Sequence, residues 1–144
     1  MQHPLSAKTV IAAFALLVST VSSAQTKAYY PPPGLAEEVS AIAGPLAADC
    51  GVADSFDQGQ SGTLCMGSAN DTMRPFAFFQ VSQRGGVDQW TAWVRGPDAR
   101  VFIIEVPSEP SYLKGPYVIE CIGFSVEIGS HGIREAICPM KRMP

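Results

Sequence analysis

FAFFQVSQRGGVDQWTAWVRGPDARVFIIEV, residues 76–106, decides the fold. Phe76–Val81 is a run of large apolar residues of strand length. Trp90–Val94 alternates less cleanly and carries both tryptophans. Arg100–Val106 is almost continuously apolar and reads as a central strand. Gly85-Gly86 punctuates the first gap. RGPDAR fills the second, with Pro97 in the favoured second position of a turn. No helical pattern fits between these strands, so they pair antiparallel.

Downstream, PSEPSYLKGP (residues 107–116) is a proline-rich crossing. YVIECIGFSVEI (117–128) and IREAICPM (133–140) then read as a long final hairpin around GSHG. Pro75, Pro107 and Pro116 stand at strand ends, where a missing N–H costs little. Upstream, Leu35, Val39, Ile42 and Leu46 recur at helical spacing, with Glu37 and Glu38 expected in the first turn, where the helix dipole favours acids. Gly44-Pro45 ends that helix near Ala43, and a short further turn of helix is expected from Pro45 to Asp49. Residues 52–75 are crowded with Gly, Ser, Asp, Asn and Gln and read as loop, with one short strand at Thr63–Met66. The expected fold class is α+β: an N-terminal helix packed on a curled antiparallel sheet of about five or six strands. The alternative is a small all-β barrel or sandwich.

The N-terminus, residues 1–24, has the form of a cleaved secretory signal peptide. Lys8 precedes an unbroken apolar run from Val10 to Val18, and Ser22, Ser23 and Ala24 form a small-residue cleavage site. The run is too short to span a bilayer, which needs roughly 20 apolar residues. Residues 25–33 then form a proline-rich exposed arm, and 34–144 one globular domain. The formal net charge is −3, and losing Lys8 with the leader makes it one unit more negative. That balance argues against nucleic acid or an anionic membrane as partner. The expected destination is periplasmic or secreted, with no integral membrane segment after cleavage.

Cys50, Cys65, Cys121 and Cys138 all follow the leader. An even number in an exported chain makes two disulfides the default. Three connectivities are possible, and the sequence alone does not choose. Short loops favour Cys50–Cys65 and Cys121–Cys138. A regular final hairpin argues against the second bridge: with Ile128 facing Ile133, Cys121 faces Met140 and the cysteines lie on a diagonal, beyond the roughly 7 Å Cα limit. A bulge at Gly123 or Gly129 would close that gap.

Little here has the form of a catalytic motif. The serines lack a G-x-S-x-G elbow and an S-x-x-K pair. No C-x-x-C suggests a redox couple. DSFDQG (54–59) puts Phe56 where a calcium ligand belongs. The cysteine spacing is not that of a zinc site, and Met140 with Met143 is a thin copper motif. No metal or cofactor is expected. His131, the single histidine after the leader, sits in hairpin-turn chemistry. Glu105 and Glu120 interrupt apolar strands. They either point inward as a carboxylate pair, or each marks the solvent face of a strand, or an edge, or pairs with Arg95 or Arg134.

Three functional readings follow. The first is a non-enzymatic binding module of the cell envelope, such as an inhibitor, an immunity-type protein or an accessory subunit. It would recognise another envelope or extracellular protein, with Tyr29, Tyr30, Tyr112 and His131 as contact candidates. The second is a small secreted hydrolase working through Glu105 and Glu120. The third is a structural subunit that docks through its N-terminal arm.

Overall fold

The computed structural model describes residues 28–106 and 116–140. The leader, Gln25–Lys27 of the arm, the 107–115 crossing with Tyr112, and Met143 lie outside the described residues. Helix α1 (Pro33–Ala43) is followed by strand β1 (Ala48–Ala53), helix α2 (Phe56–Asp71) and strands β2 (Phe76–Arg84), β3 (Val87–Arg95) and β4 (Val101–Val106). Strands β5 (Tyr117–Cys121), β6 (Ser125–Ile128) and β7 (Arg134–Ile137) complete the order, with a 3₁₀ turn at Ser130–Gly132.

The fold is α+β. Strands β1 to β5 form one open sheet in that order, and β6 and β7 form a separate two-stranded ribbon. The β2–β3–β4 meander lies where its apolar runs placed it. Gly85 and Gly86 both take positive φ in the tight turn that pairs Arg84 with Val87. Ala99 N–H donates to Gly96 O across the Pro97 turn.

The sheet has two unlike faces. Val81, Trp90, Ala92, Val94 and Ile104 leave one face and pack against Leu35, Val39 and Ala43 of α1. Helix α1 starts at Pro33, so Glu37 and Glu38 fall in its second turn, and Leu46 is exposed rather than part of the stripe. Phe76, Phe78 and Val101 leave the other face, under Met66 and Ala69 of α2 and beside Phe124, Ala136 and Cys138 of the ribbon region. Phe76 and Phe78 are essentially fully buried, each worth about 1.5–3 kcal/mol of hydrophobic stabilisation.

Three further sequence expectations change between α1 and β2. Pro45–Asp49 is not a helical turn. Ala48 begins a strand, and its N–H donates to Pro75 O at 2.8 Å. The sheet is mixed rather than wholly antiparallel, because β1 pairs parallel to β2. A parallel pair needs a crossover, and α2 supplies it. Residues 56–71, expected as loop with a strand at Thr63–Met66, are that crossover helix. Ser55 caps it by accepting from Gln58 N–H, and the Gln58 side chain accepts from Asp54 N–H at 2.8 Å. Gly59, Gly62 and Gly67 each cost roughly 1 kcal/mol against alanine in a helix. Packing overrides that cost: Gly62 lies directly on the Phe78 ring, and Cys65 is bonded to Cys50 of β1.

The long final hairpin is split in two. Beyond β5 the chain bends at Gly123, where φ is 78°. Cys121 faces Met140, yet Ser125 faces Ile137. One strand has thus gained a residue, as at a bulge. Cys121 keeps Met140 as its partner, but the hairpin is not regular between Cys121 and Ser125, and Ile128 faces Arg134 rather than Ile133, so the diagonal spacing of a regular ladder does not apply to the second bridge. Cys121 and Cys138 are bonded with Cα atoms 4.9 Å apart, and Cys50–Cys65 is the other disulfide.

Candidate binding cleft

Helix α2 and the ribbon cover only part of their face of the sheet. Beyond them the strands turn polar. Ser82, Arg84, Gln89, Thr91 and Glu105 share that face, outside the buried Phe76–Phe78 end. Where cover stops, a hollow of about 450 Å³ opens between the N-terminal half of α2 and β7.

Its floor is Gln80 and Trp93. Both face the ribbon side, and the Trp93 indole N–H donates to Gln80 Oε1 at 3.0 Å. One wall is the first turns of α2. The Ser55 cap projects Phe56 at the mouth, where it is 65% exposed. A large aromatic this exposed beside a cleft is a ready anchor for a partner. Gly59 and Thr63 continue this wall, with the Thr63 hydroxyl donating to Gly59 O at 2.8 Å. The other wall is β7, joined to α2 by a reciprocal pair: Gln60 Nε2 donates to Arg134 O at 2.9 Å, and Arg134 N–H donates to Gln60 Oε1 at 2.8 Å. The Gln60 carboxamide therefore occupies the place of a neighbouring strand's peptide unit. A second hollow of about 330 Å³, lined partly by Asp54 and Thr91, shares Ser55, Phe56 and Gln80 and extends the groove over the open sheet.

The groove thus offers carboxamides, hydroxyls, two aromatic surfaces and a strand edge. Its ionisable lining is Asp54, Arg134 and Glu135. These groups can meet a ligand by shape and by hydrogen bonding. Among the described residues, no cluster of three or more His, Cys, Asp or Glu could hold a metal ion.

The sequence candidates lie elsewhere. Tyr30 is 80% exposed, while Tyr29 packs partly against the α1 core. His131 is exposed at the ribbon tip with φ 73°, inside the 3₁₀ turn. The structure does not bring Glu105 and Glu120 together. Glu105 pairs with Tyr117 and Phe102 with Glu120, so the carboxylates leave opposite faces of the sheet, and both are exposed. Glu120 pairs with Arg100, at 2.7 and 2.8 Å to the two guanidinium nitrogens. That hydrogen bond first, and the Glu120 charge second, hold the Arg100 guanidinium above the ordinary arginine range.

Arg95 is buried, and among the described residues no carboxylate pairs with it. Its guanidinium donates to the Asn70 side-chain and backbone oxygens at the C-terminal end of α2 and approaches Met73 Sδ at 3.5 Å. A cation there complements the helix dipole.

Phe56, Gln60, Gln80, Trp93 and the β7 wall carry no site signal in the sequence as long as residues 56–71 read as loop. The Ser55-x-x-Gln58 capping signature was the available signal. Comparison with protein-family models, curated proteins and solved structures found no match.

Proposed function

We propose that this chain is an exported, non-catalytic binding module that recognises another envelope or extracellular protein through the cleft between α2 and β7. The observation that carries the reading is the chemistry of that cleft: Phe56 at the mouth and Trp93 on the floor, ringed by Gln60, Gln80 and Thr63. Aromatic anchors beside neutral hydrogen-bonding groups are what protein interfaces use. Two disulfides support an oxidising destination, in keeping with the leader-like N-terminus. They also hold the cleft walls, one at α2 and one at the base of the ribbon. The hydrolase reading needs two converging carboxylates, and Glu105 and Glu120 leave opposite faces of the sheet.

The test is site-specific photocross-linking. A benzophenone amino acid at position 56 is expected to capture one discrete protein from envelope or culture extract, and the same group at Tyr30 or His131 to capture it weakly. Loss of capture in a Trp93→Ala background would tie recognition to the cleft. Undiminished capture in that background removes the cleft from the site.

A further inference from the structure

The ribbon has an edge that its own fold leaves open. Gly129 N–H donates to Ile133 O at 2.8 Å, and Arg134 gives both backbone groups to Gln60. Ile128–Arg134 is therefore a pair without mutual hydrogen bonds, and the alternation of an antiparallel ladder makes Val126–Ala136 another. The N–H and C=O of Ala136 point out of the ribbon on the same edge as those of Arg134. Ala136 lines the cleft. Among the described residues, no donor or acceptor meets its two backbone groups. Two residues away, Gln60 already shows that this edge accepts an amide in strand geometry.

Charge adds a second constraint. Among the described residues, Asp54 and Glu135 line the groove against the single cation Arg134. Glu127 stands directly opposite Glu135 on the ribbon, an arrangement that costs stability unless a cation joins it. Among the described residues, neither Asp54 nor Glu135 has a basic partner.

We infer that the cleft takes an extended, basic peptide segment of the partner protein, added as a short strand on the β7 edge at Ala136. This rests on the binding-module reading above and specifies its ligand. The segment's main chain continues the pairing that Gln60 makes with Arg134. An apolar side chain lies between Phe56 and Trp93, and a lysine or arginine reaches Glu135 or Asp54. Main-chain bonds supply affinity in this mode and side-chain pockets supply selectivity.

The probe is a positional-scanning library of acetylated hexapeptide amides, screened against the oxidised, isotope-labelled protein. Active pools should be enriched in lysine or arginine at one position and in an aromatic or branched apolar residue at another. The best peptide should shift the Ala136 amide resonance and slow its hydrogen exchange at least about tenfold. N-methylation at one peptide nitrogen should weaken binding about tenfold, the effect of losing one hydrogen bond. Ala136→Pro removes the outward N–H without touching a bond to β6 and should abolish binding. Should that variant misfold, the N-methyl scan decides alone. The inference is overturned if no pool perturbs Ala136, or if every N-methyl peptide binds as well as its parent. If peptides fail while cross-linking from position 56 still captures a protein that Trp93→Ala releases, the cleft reads a folded surface and only this inference falls. If cross-linking also ignores Trp93, the binding-module reading falls with it.

Discussion

Gly62 and Phe78 are fitted so closely that a methyl group on Gly62 would stand 2.0 Å from Cε2 of the Phe78 ring. The ring is 1% exposed and cannot swing aside. Gly62→Ala is therefore expected to destabilise the protein by about 2–3 kcal/mol, since overpacking outweighs the roughly 1 kcal/mol that alanine gains in a helix. Urea unfolding measures it. Gly62→Ala with Phe78→Leu should recover part of the loss, because the two sites are coupled. A tolerated Gly62→Ala would mean that α2 does not lie on Phe78.

Non-reduced peptide mapping should return Cys50–Cys65 and Cys121–Cys138 and no free thiol, as the structure has them. Each bridge closes a loop of a size worth roughly 3 kcal/mol in the chain-entropy account. Paired Cys50→Ser and Cys65→Ser changes should lower stability by about that amount and loosen α2 and β1 together. The corresponding loss at Cys121 and Cys138 should loosen the ribbon, read by hydrogen exchange at Glu127 and Glu135.

The Gln60–Arg134 pair joins two elements 74 residues apart. Gln60→Ala should cost about 1–3 kcal/mol, the range for losing two bonds at a part-buried site. Its distinguishing readout is local: faster amide exchange at Arg134, with β2–β4 protection unchanged.

Arg95 and Asn70 give opposite expectations for two truncations. Asn70→Ala leaves a buried guanidinium without its side-chain acceptor and should cost roughly 1–3 kcal/mol. Arg95→Met removes the charge that needs a partner and should cost less. Denaturant midpoints at a constant m-value compare them. The reverse order would show that the guanidinium, rather than the amide, holds the end of α2.

The Arg100–Glu120 pair is solvent-exposed, so it should be weak and screened by salt. Its raised arginine pKa contributes stability that is present below the unfolded arginine range and lost only as pH climbs through the folded value. That window lies far above neutrality. Arg100→Gln should consequently leave the shape of the stability profile between about pH 6 and 9 unchanged.

How much of this was legible depended on where the reason for each element lies. The β2–β4 meander and α1 are written in local pattern: apolar runs of strand length, Pro97 in its turn, a helical stripe ended by Gly44. Helix α2 is not. Its glycines and serines read as loop, and they are tolerated because Phe78 and Cys50, both outside the segment, hold it. The parallel β1 followed from the same omission, since without a crossover no parallel pair is possible. Gly123 was recognisable as a bulge candidate, but only the Cys121–Met140 register against Ser125–Ile137 placed the step there. The cleft needed α2 to exist, so Gln60 and Trp93 carried no site signal in the sequence. Glu105 and Glu120 carried a false one, which strand register resolves: Glu105 lies three positions, an odd offset, from Phe102, the residue opposite Glu120, so their side chains alternate to opposite faces.

The glycine content of α2 also bears on the order in which the molecule is assembled. A helix with so little intrinsic propensity does not persist unaided. Its template is Phe78, which becomes available once the β2–β3 hairpin, a product of short-range contacts, has closed. Parallel pairing of β1 waits in turn for the crossover. Synthesis delivers the chain from its amino end, so the segments that emerge first are the ones that must wait for those behind them.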